Sequence, residues 1–139
     1  MIKKLFVPGK DSACTNFSLL VLRVWLGGAT LAHHGYDKLT TFGEKSAGFP
    51  DPLGVGHTMS LVLVVFAEFF CSLLLITGLL TRFAALVLAF NLTVAFIVVH
   101  KALLSGAHNG ELAFIYLAGF VALLIAGPGR FSADGSLFK

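Results

Sequence analysis

The chain has 139 residues, enough for one domain, of which 57% are hydrophobic and only 12% charged; an ordinary soluble domain is about a quarter charged. With a mean hydropathy of +0.90, the expected class is a protein embedded in a membrane. The net charge of +3 is small, and no Lys/Arg cluster is interleaved with aromatics, which argues against a nucleic-acid partner.

In chain order, residues 1–16 are basic, hold Pro8 and Gly9, and read as a short cytoplasmic tail. Lys3 and Lys4 ahead of an apolar run imitate a signal peptide. However, the run is long, contains Arg23 and lacks a small-residue cleavage site, so a retained helix is expected. That helix should run over about 17–39, with Thr15, Asn16 or Ser18 as its cap. The length suits the roughly 30 Å of bilayer hydrocarbon. Residues 40–56, TTFGEKSAGFPDPLGVG, carry too much Gly and Pro for a regular helix. They form either an ordered cap, with Phe42 and Phe49 dipping toward the apolar layer, or a flexible connector.

A second helix is expected over about 57–78, a tight hairpin near Gly78–Arg82, a third helix over 83–100 and a fourth over 111–126. Gly127-Pro128-Gly129 stops the fourth. The expected fold is all-α: an integral membrane antiparallel four-helix bundle spanning residues 17–127. Residues 128–139 form a second cytoplasmic tail. Cys14 and Cys71 should lie at different depths, so no disulfide is expected. With four spans, Lys3, Lys4, Lys10, Arg82, Arg130 and Lys139 share one side, and Lys38, Lys45 and Lys101 the other. The positive-inside rule then puts both termini in the cytoplasm.

Polar residues inside apolar runs mark the candidate site, because charge facing lipid costs several kcal/mol. At 100° per residue the first helix stacks Arg23, Gly27, Thr30, His34 and Lys38 on one face, with Asp37 beside them. The second aligns His57, Leu61, Val64, Glu68, Ser72 and Leu75. The third aligns Ala84, Asn91, Ala95 and Ala102, and the fourth Glu111, Ile115, Ala118 and Ala122. Counting from the cytoplasmic ends, Arg23 lies roughly 9 Å deep and Glu68 roughly 15 Å. An Arg23–Glu68 pair with Asn91 alongside is therefore expected, either fixing helix register or serving a ligand or a proton. His34 and Lys38 are the candidate ligand-binding pair, with His34 donating to a carbonyl or anionic head or shuttling protons. Glu111 either complements its helix dipole or pairs with Lys38 or His34. Trp25 either packs in the core or stacks on a ligand ring. The histidines lack metal-ligand spacing, and no metal is expected.

The segments LRVWLGGATLAHHGYDKL, AEFFCSLLLITGLLTR, NLTVAFIVVHK and NGELAFIYLAGFVALLIAGPG, with the closing RFSAD, together resemble the DoxX family of small bacterial membrane proteins. The matching positions are Arg23, His34, Gly35, Lys38, Glu68, Gly78, His100, Glu111, Gly127, Pro128, Gly129 and Asp134. The ending Ser132-Ala133-Asp134 departs mildly from the family's usual serine, aliphatic, aspartate. The resemblance implies a four-helix inner-membrane protein linked to redox, thiol or oxidative-stress metabolism. Some relatives are subunits of a thiosulfate:quinone oxidoreductase. It also implies a bound quinone or similar small apolar ligand rather than a covalent cofactor, and a partner redox subunit or homo-oligomer. The rival readings are a non-enzymatic assembly subunit and a small transporter or proton pathway.

Overall fold

The computed structural model describes residues 13–137; most of the expected N-terminal tail lies outside them. All regular structure among the described residues is helical. Helix α1 runs Ala13–Thr40, and a short α2 follows at Phe42–Lys45. Helices α3 and α4 are His57–Thr77 and Thr81–Val99. Helix α5 is Glu111–Ala126, and α6 is Ala133–Leu137. The helices α1, α3 and α4 are each long and apolar enough to cross a membrane; α5 is equally apolar but has only 16 residues.

The first helix is already helical at Ala13, so the three expected caps lie inside it. Ser18 Oγ donates to Cys14 O four residues back at 2.9 Å, and Asn16 is buried. Helix α3 ends where Gly78 takes the left-handed conformation (φ 73°) and its N–H bonds Leu75 O at 3.2 Å. A Cβ there would collide with the Arg23 guanidinium and the Ser132 side chain, so glycine is required both for its φ and for space. The hairpin closes through Leu80 (φ 49°). α3 packs antiparallel to α1, because Gly27 abuts Ile76 while Gly35 abuts Glu68. Helix α4 packs along α5, and α5 also covers α1, where Gly119 admits the Leu26 side chain.

The apolar core fills the half of the molecule nearest this hairpin. It comprises Leu19, Cys71, Leu75, Ala84, Ala85, Leu88, Ala89, Phe120 and Leu123. Most of the expected inward faces are found: Arg23, Gly27 and Thr30 on α1, Leu61, Glu68, Ser72 and Leu75 on α3, and Ala84 on α4 are buried. The exception is α5. Its expected face, Glu111, Ile115, Ala118 and Ala122, is exposed, and Ala113, Phe120 and Leu123 are buried instead. This helix is apolar on every side, so periodicity carries no information about which side packs. Cys14 is exposed and Cys71 buried, and both are free thiols.

Residues 129–137 do not trail away. They fold back against the hairpin, and α6 is anchored by Asp134, which is 1% exposed. Its carboxylate accepts the backbone N–H groups of Leu80 (2.8 Å) and Thr81 (2.9 Å), the otherwise unpaired donors at the start of α4. Asn16 Oδ1 accepts the Arg130 N–H at 2.6 Å, tying the same segment to α1.

Candidate functional site

The polar residues of the helix faces separate into two clusters. The first, at the hairpin end, is built around Arg23. Its guanidinium donates through Nη1 to Pro128 O and through Nη2 to Phe131 O at 2.7 Å. Both acceptors lie in the C-terminal segment, with Asp134 close enough to act on the charge. The expected Arg23–Glu68 pair is therefore absent. Arg23 faces Gly78 across the helix pair, ten residues beyond Glu68, which is roughly 15 Å along a helix and out of an arginine's reach. The depth count fails because α1 extends past the hairpin and the C-terminal segment fills the space beneath it.

The second cluster surrounds Glu68. One carboxylate oxygen accepts Lys38 Nζ at 2.5 Å, and the other accepts Asn91 Nδ2 at 3.1 Å. The Lys38 and Glu68 side chains are 18% and 9% exposed. A charged pair this far removed from water is tolerated only when its members satisfy each other. Gly35 makes the pairing possible, since a Cβ on it would strike the backbone carbonyl of Glu68. That close approach of α1 and α3 lets Lys38, one turn on, reach the carboxylate. Asp37 takes no part; it is exposed and pairs with Lys45.

Two π-helical segments pack together at this level, Leu31–Gly35 in α1 and Phe66–Cys71 in α3, and a third, Ala95–Val99, begins four residues beyond Asn91 in α4. Such wide turns concentrate at functional sites, where the locally altered helix re-aims side chains. They border a cavity of about 570 Å³. Its polar wall includes His34, Lys38, Glu68, Asn91 and Tyr116, and the remainder is mostly aliphatic and aromatic. Phe49, Pro50, Pro52 and Leu53 roof it from the loop before α3. The loop is ordered: Asp51 accepts Ser60 Oγ–H at 2.7 Å and the N–H groups of Gly56 and Val55 at 2.8 and 3.0 Å. These donors, led by Ser60 and then Gly56, hold the Asp51 carboxyl below its ordinary range. The His57 ring contacts Phe49 O through Nδ1 at 2.6 Å.

Of the expected site residues, His34, Lys38, Glu68 and Asn91 come together on this cavity. His34 has no hydrogen-bond partner among the described residues; its ring stands edge-on to Tyr116 at 6.4 Å. Trp25 does not join them. It is 76% exposed on the outer side of α1, more than two turns from His34. Glu111 is exposed at the start of α5, where Asn109 Oδ1 caps its N–H at 2.9 Å, and it contributes nothing to the cavity wall. Phe49 answers to the ordered-cap reading of the loop; Pro50, Pro52 and Leu53 are additions to it, and so is Tyr116 as a wall residue. Tyr116 sits on the α5 face that periodicity misassigned, and the roof depends on how the loop folds.

Residues 18–101 match the family model DoxX. The chain belongs to the DoxX family. A protein of Haemophilus influenzae (strain Rd) described as uncharacterized is 37% identical over 111 residues, covering 76% of this chain and 81% of that relative. No solved structure matches the chain. In this DoxX-family chain the positions carrying the resemblance fall mainly into the two clusters. Arg23, Gly78, Pro128, Gly129 and Asp134 build the hairpin end, while His34, Gly35, Lys38, Glu68 and His100 build or line the cavity.

Proposed function

We propose that this DoxX-family protein is an antiparallel four-helix bundle in the bacterial inner membrane, with both termini cytoplasmic, that binds a quinone or similar small apolar ligand. The carrying observation is a largely apolar cavity of about 570 Å³ that brings His34, Lys38, Glu68 and Asn91 together, a size and make-up typical of small-molecule sites. Three helices of spanning length and a fourth apolar helix support the membrane reading. So do the many exposed Phe, Leu, Ile and Val side chains, which suit lipid contact.

The residues present fit a quinone head. His34 retains hydrogen-bonding capacity, and Lys38 carries three N–H donors while making one described bond, to Glu68. Both would hold a carbonyl oxygen, with Glu68 and Asn91 fixing the lysine in place. The apolar walls exclude water from the ring. A bound quinone supplies two-electron redox chemistry; electrons would come from a partner redox subunit.

The test is saturable binding of a short-chain benzoquinone by the protein in lipid nanodiscs. His34→Ala and Lys38→Ala should each weaken it about tenfold, the loss expected for one hydrogen bond of roughly 1.4 kcal/mol. In cells the same variants should lose tolerance to quinone or thiol stress. If binding never saturates and tolerance is unchanged, the reading is wrong.

A further inference from the structure

The cavity is walled on several sides. The roof loop covers it, clasped by Asp51 and by the His57 contact with Phe49. One turn toward the hairpin lies the buried core of Cys71, Leu75, Ala84 and Leu88. The α1–α3 seam is shut by Gly35 against Glu68. His34 meets Tyr116 between α1 and α5, and Phe96 meets Phe114 at 5.3 Å between α4 and α5.

The α3–α4 seam differs. It is bridged by Asn91 and Glu68. Beyond that bridge, residues 57–65 of α3 pack on the end of α1 at Tyr36–Thr40. No hydrogen bond or ring contact links them to residues 92–99 of α4 among the described residues. Leu63, Phe66 and Phe90 line the cavity here and are 45%, 41% and 60% exposed; Leu53, Val99 and Leu112 on the roof and beside α5 are comparably so, and it is the missing contact between the helices that sets this seam apart. A side chain that walls an interior space and is also half on the surface forms a partition one residue thick.

We infer that the site takes an amphiphile with a lipid-like tail, admitted sideways between α3 and α4, with the head at His34 and Lys38 and the tail leaving past Phe66 and Phe90. This rests on the ligand-binding reading above. The free donors His34 and Lys38 stand on α1, while the thin apolar partition lies between α3 and α4 beyond the Glu68–Asn91 bridge, so a polar head and an apolar tail would meet different surroundings.

The experiment uses the unmodified protein in nanodiscs and a decyl-tailed benzoquinone carrying a diazirine at the tail tip. Labelled residues are mapped by mass spectrometry with and without excess untagged decyl quinone. Binding of decyl and tailless quinones is compared at equal lipid-phase concentration. Competable labelling on Leu63, Phe66, Phe90 or Val94, with the tailed quinone bound about tenfold more tightly, is the expected result. Competable labelling confined to the roof loop overturns the sideways route. Equal binding of the two quinones, weakened alike by His34→Ala, overturns the tail while leaving the quinone site standing. No saturable binding of either removes both.

Discussion

Glu68 has both carboxylate oxygens occupied, by Lys38 and by Asn91, so removing any one partner leaves a poorly compensated charge. Lys38→Ala should lower stability by roughly 3–5 kcal/mol, and Lys38→Met combined with Glu68→Leu should recover most of that loss. A double-mutant cycle on detergent-solubilised protein measures the difference; additive losses would mean the pair is not coupled. Gly35→Ala places a methyl group on the Glu68 carbonyl and must push α1 from α3. The expected outcome is a loss of quinone binding greater than that of His34→Ala, together with a lower melting temperature. Gly28→Ala is the control, since a Cβ there meets nothing.

At the scale of elements, two short segments do more than connect helices. The roof loop depends on an ionised Asp51, whose carboxyl is held below its ordinary value by Ser60 and the Gly56 and Val55 N–H groups. A lowered value in the folded state means the clasp contributes fully above the unfolded carboxylate range. It is lost as pH falls through the lowered value. The hydrogen-exchange protection factors of residues 49–56, referred to the intrinsic rate at each pH, should therefore be high at neutral pH and fall in acid, below about pH 4. Asp51→Asn should exchange quickly at both. The C-terminal segment is the second case. Asp134→Ala strips the cap from the Leu80 and Thr81 N–H groups and should cost about 1–2 kcal/mol, read as a lower unfolding midpoint. Arg23→Lys should be almost as damaging as Arg23→Ala, because one ammonium cannot replicate a planar fork bonded to two carbonyls.

For the whole molecule, the two clusters divide the labour. The hairpin end locks α1, the α3–α4 turn and the C-terminal segment together. The opposite end, with its three π-helical segments, leaves space for a ligand. Ligand binding should therefore stabilise the protein. At a hundredfold excess over Kd the gain is about 2.7 kcal/mol, and a melting temperature unmoved by saturating quinone would contradict the proposed site. Reporter fusions at both termini test the four-span arrangement, with both expected in the cytoplasm.

The sequence by itself determined the helices. Runs of apolar residues broken by Gly and Pro leave no other regular structure that pairs its own backbone, and the polar faces of α1 and α3 name the sides that pack. It also picked out His34, Lys38, Glu68 and Asn91, because buried charge needs a partner wherever it sits. The pairing was decided only in three dimensions. Which cation meets Glu68 depends on the stagger of α1 against α3, set by Gly35 at the Glu68 carbonyl and by a C-terminal segment folding beneath Arg23. Neither leaves a period in the chain. The inward face of α5 was equally hidden, and for the loop the sequence left a cap and a flexible connector both open. An evenly apolar helix and a Gly/Pro-rich loop take their orientation from what they pack against.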